Sequence, residues 1–346
     1  MFTKRGICVV MITGFFVFCL TIFHLDENHE QNSLLSSIGI YDRYSSVRSK
    51  LSFRRQYTGS TQDSSCVVLF SAPQKCAGRT IYELVEYISN LTRSAVTRDS
   101  IMNIDSVWPP NVSAADIVPR IVRERVHTSQ PLDFIYTHLS FVEFGNDSLS
   151  PSYVSIVRDP FERARSFYYF KRYGDTMQMT EDAKLWRQRM EKMNLSKDSY
   201  DDCVMSQRLE CVGERSQFEL IRHFCGYSEE CYRKPETVLE IAKRNIENHY
   251  AIVGITEEFD DFLSCLEVLF PVHFNNASKF YNTETFKKIV YSTRTKIKLP
   301  ASSATKNIML PKLKYEYELY YFIKQRFYDF KEKILNEKRK IAPYRP

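Results

Sequence analysis

The sequence predicts an α/β fold, with a central, mainly parallel sheet flanked by helices, and three observations lead to it. Short apolar runs alternate with stretches of helical periodicity along the chain. The first run leads through a turn of small residues straight into a helical pattern. A later run ends in Arg158-Asp159-Pro160, which places a proline where a helix would begin. Continuous apolar runs are what strands covered on both faces look like, and strands separated by helices pair in parallel.

Taken in order, Cys66-Val-Val-Leu-Phe70 reads as the first strand, Ser71 to Thr80 as a turn, and IYELVEYI from Ile81 as a helix. Asp133 to Leu139 and Tyr153 to Val157 are the second and third strands. A helix then runs through FERARSFYYFKRY and stops at Gly174. The charged, Met-rich stretch from Asp175 to Cys203 reads as an excursion containing one helix. Pro235 to Asn248 is a helix, AIVGIT (251–256) a fourth strand, and EEFDDFLSCLEVLF another helix. Pro311 is read as the start of a long final helix, whose aromatic stripe is taken as packing rather than a ligand platform.

Composition narrows the function classes. The 346 residues are 43% hydrophobic and 14% aromatic, enough for a large core and too apolar for a disordered chain. A net charge of +6, from 48 basic and 42 acidic residues, is too weak and too dispersed for a nucleic-acid-binding protein.

The first residues address the compartment. Ile7 to Phe23 is an uncharged apolar run, with Lys4 and Arg5 before it and Asp26, Glu27 and Glu30 after it. That pattern predicts a single-pass type II membrane anchor with the bulk of the chain in the lumen. A cleaved signal peptide is the rival reading; the apolar run is longer than its usual core, and no small-residue cleavage site follows. The expected organisation is a cytosolic tail at 1–6, an anchor at 7–25, a polar stem at 26–65, a folded domain at 66–338 and a tail at 339–346.

The close pairs Cys203/Cys211 and Cys225/Cys231 suit local disulfides in an oxidising lumen; zinc is the competing idea, with His223 nearby, but no CxxC is present. No metal is expected. Asn90, Asn111, Asn146, Asn194 and Asn276 lie in glycosylation sequons.

Three features carry candidate chemistry. A loop between a buried strand and a helix offers backbone N–H groups and the positive end of a helix dipole to an anion. Here that loop supplies Lys75, Cys76, Ala77, Gly78, Arg79, Thr80 and Ile81, although a plain connection is its bland reading. It is not a Walker A loop, which weighs against a nucleoside triphosphatase or kinase. Arg158 and Ser166, at the end of a strand and in the helix after it, suit a phosphate; Asp159 between them is read as capping the helix or pairing locally. His138 closes a strand between these two motifs and is either a structural histidine or a proton acceptor. All three fall at the carboxyl edge of one parallel sheet, where such sheets place ligands.

With IVRDPFERARSFYYFKRYGD, FCGYSEEC, AKRNIENHYAIVGITEEFDDF and the terminal YEYELYYFIKQRF, these motifs resemble the Golgi glycosaminoglycan 2-O-sulfotransferases over about Cys66 to Lys333. KCAGRT is more similar to the uronyl branch than to the heparan sulfate branch. The resemblance implies a P-loop-like sulfotransferase fold behind a Golgi membrane anchor. It also implies transfer of sulfonate from 3′-phosphoadenosine 5′-phosphosulfate (PAPS) to the 2-hydroxyl of a hexuronic acid in dermatan, chondroitin or heparan sulfate. By that carry-over His138 is the general base and Lys75 assists the leaving group. The loop from Lys75 to Ile81 holds the 5′-phosphosulfate, Arg158 and Ser166 hold the 3′-phosphate, and Thr295 and Lys298 close over the nucleotide. A trimer is the family's tendency. Two positions depart from the pattern: the loop glycine is shifted to Gly78 beside Ala77, and Tyr136 stands where the heparan branch has a second histidine. The alternatives are a catalytically inactive glycosaminoglycan-binding relative and a heparan sulfate 2-O-sulfotransferase.

Overall fold

The computed structural model describes residues 67–92, 101–103, 120, 122–124, 129, 133–144, 151–175 and 181–341. The anchor and stem segments, Asn111 and Asn146 lie outside the described residues, among which no helix is long and apolar enough to cross a membrane.

Among the described residues, five strands form one sheet: β1 (Val68–Ser71), β2 (Ile101–Asn103), β3 (Phe134–Thr137), β4 (Ser152–Val157) and β5 (Tyr250–Ile255). Their order is β2-β3-β1-β4-β5 and every pairing is parallel. The four longer strands match the four apolar runs. β2 was not anticipated, because three residues are too few to show a period. β1, β3 and β4 are buried along their whole length, as a sheet covered on both faces requires.

Among the described residues, the helices of seven or more residues are α1 (Gly78–Thr92), α2 (Pro160–Tyr173), α3 (Glu181–Lys192), α4 (Glu219–Cys225), α5 (Pro235–His249), α6 (Phe259–Leu269), α7 (Glu284–Ser292), α8 (Ser303–Lys312) and α9 (Lys314–Ile341). α1 packs through Ile81, Leu84, Val85 and Ile88, the i, i+3, i+4, i+7 stripe of an amphipathic helix. α2 starts and stops on the expected signals. Asp159 caps it by accepting from Glu162 N at 2.9 Å, and Pro160 fills the first turn, where no N–H is needed. Gly174 ends it at φ 65, a conformation that favours glycine.

The final helix corrects the expectation at Pro311. That proline sits near the end of α8, and the chain breaks at Leu313 before α9 begins. The stretch after Asp175 holds more than one helix: α3 is followed by a short helix, Tyr200–Met205, that carries Cys203. On α9, Leu319, Ile323, Phe327 and Ile334 are buried, so its apolar stripe is packing. Glu316 is buried on the same helix and accepts from Leu220 N and Ile221 N at the start of α4, with Arg163 of α2 at 3.9 Å. Burial pushes its carboxyl up to about 7, against the pull of Arg163 and the two amides.

Both close cysteine pairs are disulfides, Cys203–Cys211 and Cys225–Cys231, which removes their sulfurs as zinc ligands. His223 is buried, and desolvation holds its imidazole down at about 3, so it is neutral and structural. Its carbonyl accepts from Phe141 N at 2.8 Å, and its Nε2 lies 3.3 Å from Ser71 Oγ. The chain after His138 is thereby tied to α4 and its disulfide.

Candidate active site

The site is built where β1, β3 and β4 end. After β1 the backbone turns through Lys75 at φ 68 and Ala77 at φ 57, both left-handed and neither a glycine. Such turns aim successive N–H groups into one concavity, and a left-handed conformation at a residue with a Cβ costs about 1–2 kcal/mol. Strain of this kind persists where surrounding structure enforces it. α1 then opens with no acidic residue in its first turn, leaving the positive end of its dipole uncompensated from within the helix.

Gly78 explains the shifted glycine. A methyl group there would lie 3.2 Å from Tyr136 Oη and 3.3 Å from His138 Cε1, tighter than ordinary contact. The glycine lets the loop close against the end of β3. Cys76 and Ile81 have buried side chains, and Thr80 is nearly buried, so Cys76 and Ile81 can offer a ligand only their main chain. Burial pushes the Cys76 thiol up to about 12 and keeps it protonated.

Lys75 lies over the Phe170 ring of α2, 3.9 Å from its centroid. Burial lowers its ammonium to about 8; Asp175 pulls the other way, and Arg79 and Arg158 add repulsion. Asp175 is ion-paired with Arg79 and has a buried side chain. From the sequence, Asp175 stands out only as the first residue of the charged stretch.

His138 Nδ1 is 2.7 Å from the Ala72 carbonyl oxygen, and its Nε2 is 2.8 Å from Tyr136 Oη. A carbonyl only accepts, so Nδ1 carries a hydrogen, and in the neutral ring the lone pair is then on Nε2.

Beyond β4, Arg158 reaches Glu162 at 3.6 Å, Arg165 reaches it at 2.7 Å and Lys298 at 3.3 Å. Burial alone would raise the Glu162 carboxyl, but Arg165 and Lys298 hold it below its usual range. Lys298 is lowered by desolvation and by Arg158. Ser166 Oγ lies 3.4 Å from Thr295 Oγ1. The segment carrying Thr295 and Lys298 is pinned by Lys296 N to Gly174 O at 3.0 Å and by Arg165 Nη1 to Leu299 O at 3.1 Å. The structure thus brings Arg158, Ser166, Thr295 and Lys298 together, and adds Arg165 and Glu162, which sequence reading had not singled out. Asp159 is the cap it was read as; it also accepts from the Tyr317 hydroxyl at 3.0 Å, and its N–H donates to Glu257 at 2.9 Å.

The loop and the second cluster adjoin, since the Arg158 backbone amide faces the Cys76 sulfur. Along the sheet edge the cationic loop after β1 thus lies between His138, just past β3, and the Arg158 cluster past β4.

Comparison with known proteins bears on this arrangement. A family model described as a sulfotransferase domain matches residues 66–212. Uronyl 2-sulfotransferase of Homo sapiens is 30% identical over 288 residues, covering 81% of this chain and 67% of that protein. The Mus musculus protein of the same name is 29% identical over 288 residues, with the same coverage. Heparan sulfate 2-O-sulfotransferase 1 of Gallus gallus is 32% identical over 209 residues, 59% of this chain and 56% of that protein. On this similarity, with the parallel sheet and the loop at its edge, the chain belongs to the sulfotransferase family that includes uronyl 2-sulfotransferase and heparan sulfate 2-O-sulfotransferase 1.

Proposed function

We propose that this sulfotransferase moves the sulfonate group of PAPS to the 2-hydroxyl of a hexuronic acid residue in a glycosaminoglycan of the dermatan or chondroitin type. The observation that carries this is the meeting of the Lys75 loop, His138 and the Arg158 cluster at one sheet edge. PAPS is anionic at both ends, and the residues fit it. The strained loop and the start of α1 suit the 5′-phosphosulfate. At the other end three cations, Arg158, Arg165 and Lys298, surround the single carboxylate of Glu162, leaving positive charge for a 3′-phosphate beside the Ser166 and Thr295 hydroxyls.

Sulfonate transfer needs a proton removed from the attacking hydroxyl and charge absorbed on the departing phosphate. His138 Nε2 is the proton's destination, and the Ala72 carbonyl keeps the ring in the tautomer that can receive it. Lys75 and the loop N–H groups stabilise the leaving group. Tyr136, in place of a second histidine, favours the uronyl over the heparan branch. Nucleotide binding tests the assignment: 3′,5′-ADP should bind the wild-type chain, and Arg158→Ala should weaken it by about tenfold or more, the scale of a lost charge-assisted phosphate contact. No binding by wild type, or unchanged binding by the variant, refutes the placement of the nucleotide.

We also propose that the chain is a type II Golgi membrane protein anchored through 7–25, with this domain luminal. The two disulfides and the exposed sequon residues Asn90, Asn194 and Asn276 support an oxidising, glycosylating compartment. Peptide N-glycosidase F should increase the gel mobility of the protein from cells, and protease added outside sealed microsomes should spare the domain. An unchanged mobility with a digested domain contradicts that topology.

A further inference from the structure

The histidine assigned above as base does not meet the acceptor with an open lone pair. Tyr136 Oη, 2.8 Å from Nε2, faces it while Nδ1–H is committed to the Ala72 carbonyl. A neutral imidazole has one such lone pair, so the phenol donates to it. Packing keeps the phenol there. Its ring is stacked on Phe70 at 6.3 Å, lies 5.3 Å from Tyr82 of α1 and meets the His138 ring edge-on at 5.2 Å, and the residue is 5% exposed. There is little room for the ring to swing aside. Its hydroxyl is also at the loop that holds the donor in the proposed function, since a Cβ at Gly78 would stand 3.2 Å from it.

Resting on the assignment of His138 as base, we propose that Tyr136 is a catalytic residue that relays the proton. The acceptor hydroxyl gives its proton to Tyr136 Oη as Tyr136 gives its own to His138 Nε2. The acceptor oxygen forms its bond to sulfur while the bond from sulfur to the phosphate oxygen breaks. Tyrosine ends neutral and His138 ends as imidazolium, with the sulfate ester and 3′,5′-ADP as products. His138 then returns its proton to water.

The test compares Tyr136→Phe, His138→Ala and the double variant of the full-length chain in transfer from PAPS. Tyr136→Phe keeps the ring and its stacking and removes the relay. Its kcat should fall about 10²-fold or more, the scale of general-base catalysis, with acceptor KM and 3′,5′-ADP affinity within about twofold of wild type. Two groups acting as one unit are not additive, so the double variant should be no slower than His138→Ala. A purely structural tyrosine would instead multiply the two losses. Should Tyr136→Phe fold poorly, 3-fluorotyrosine at position 136 keeps the shape and makes the hydroxyl more acidic, and kcat should change. A Tyr136→Phe rate within about threefold of wild type, multiplying losses, or a rate indifferent to fluorination overturns the relay, given that the expected scale is far larger. If His138→Ala itself keeps its activity, the base assignment fails, a result distinguishable from failure of Tyr136 alone.

Discussion

Lys75→Ala should lower kcat by about 10²–10³-fold, the loss seen when one preorganised group facing a developing oxyanion is removed. Lys75 is confined over the Phe170 ring in a strained loop, so its ammonium is positioned before the donor arrives. Its pH behaviour makes the prediction specific. Burial lowers the ammonium to about 8, so in the free enzyme the charge is present below that value and lost above it. The kcat/KM for PAPS should therefore decline as pH rises through about 8. Bound nucleotide, being anionic, favours the ammonium, so kcat should hold to higher pH. Lys75→Arg carries a cation that does not titrate in this range, and its kcat/KM should lose the basic limb even where its absolute rate is reduced. A limb unchanged in Lys75→Arg would assign it to another group, and near wild-type kcat in Lys75→Ala would remove Lys75 from the reaction.

The parts of the fold that were legible are those whose cause is local. β1, β3, β4 and β5 show as apolar runs because a parallel sheet buries both faces, and α2 shows its limits through Asp159, Pro160 and Gly174. The loop was legible as strand, turn and helix, but its left-handed Lys75 and Ala77 were not, since neither residue type signals that conformation. What stayed hidden depends on contacts distant in sequence. Asp175 meets Arg79 across 96 residues, and Glu316 caps the start of α4 across a similar distance. Nothing beside either residue marks it. Pro311 misled because proline suits a helix start, whereas here it falls in the last turn of α8. Tyr136 lies between these cases. Tyr136 is in β3 and His138 lies just past its end, two residues on, so their nearness was readable, but not the hydrogen bond between them.

His138→Ala should have the larger effect, about 10²–10⁴-fold on kcat, the usual range for a positioned general base. The variant removes the lone pair that faces Tyr136 but leaves the loop, Lys75 and the Arg158 cluster in place, so 3′,5′-ADP should bind as it does to wild type. A loss of nucleotide binding together with activity would mean that His138 supports the loop through Ala72 rather than taking the proton. The decisive measurement is transfer of ³⁵S from labelled PAPS to desulfated dermatan, chondroitin and heparan by wild type and His138→Ala, followed by disaccharide analysis. The proposed function predicts label on the 2-oxygen of uronic acid, most strongly with the dermatan or chondroitin acceptors, and its near disappearance in the variant. Label on the amino sugar, label on none of the acceptors, or undiminished transfer by His138→Ala would contradict it.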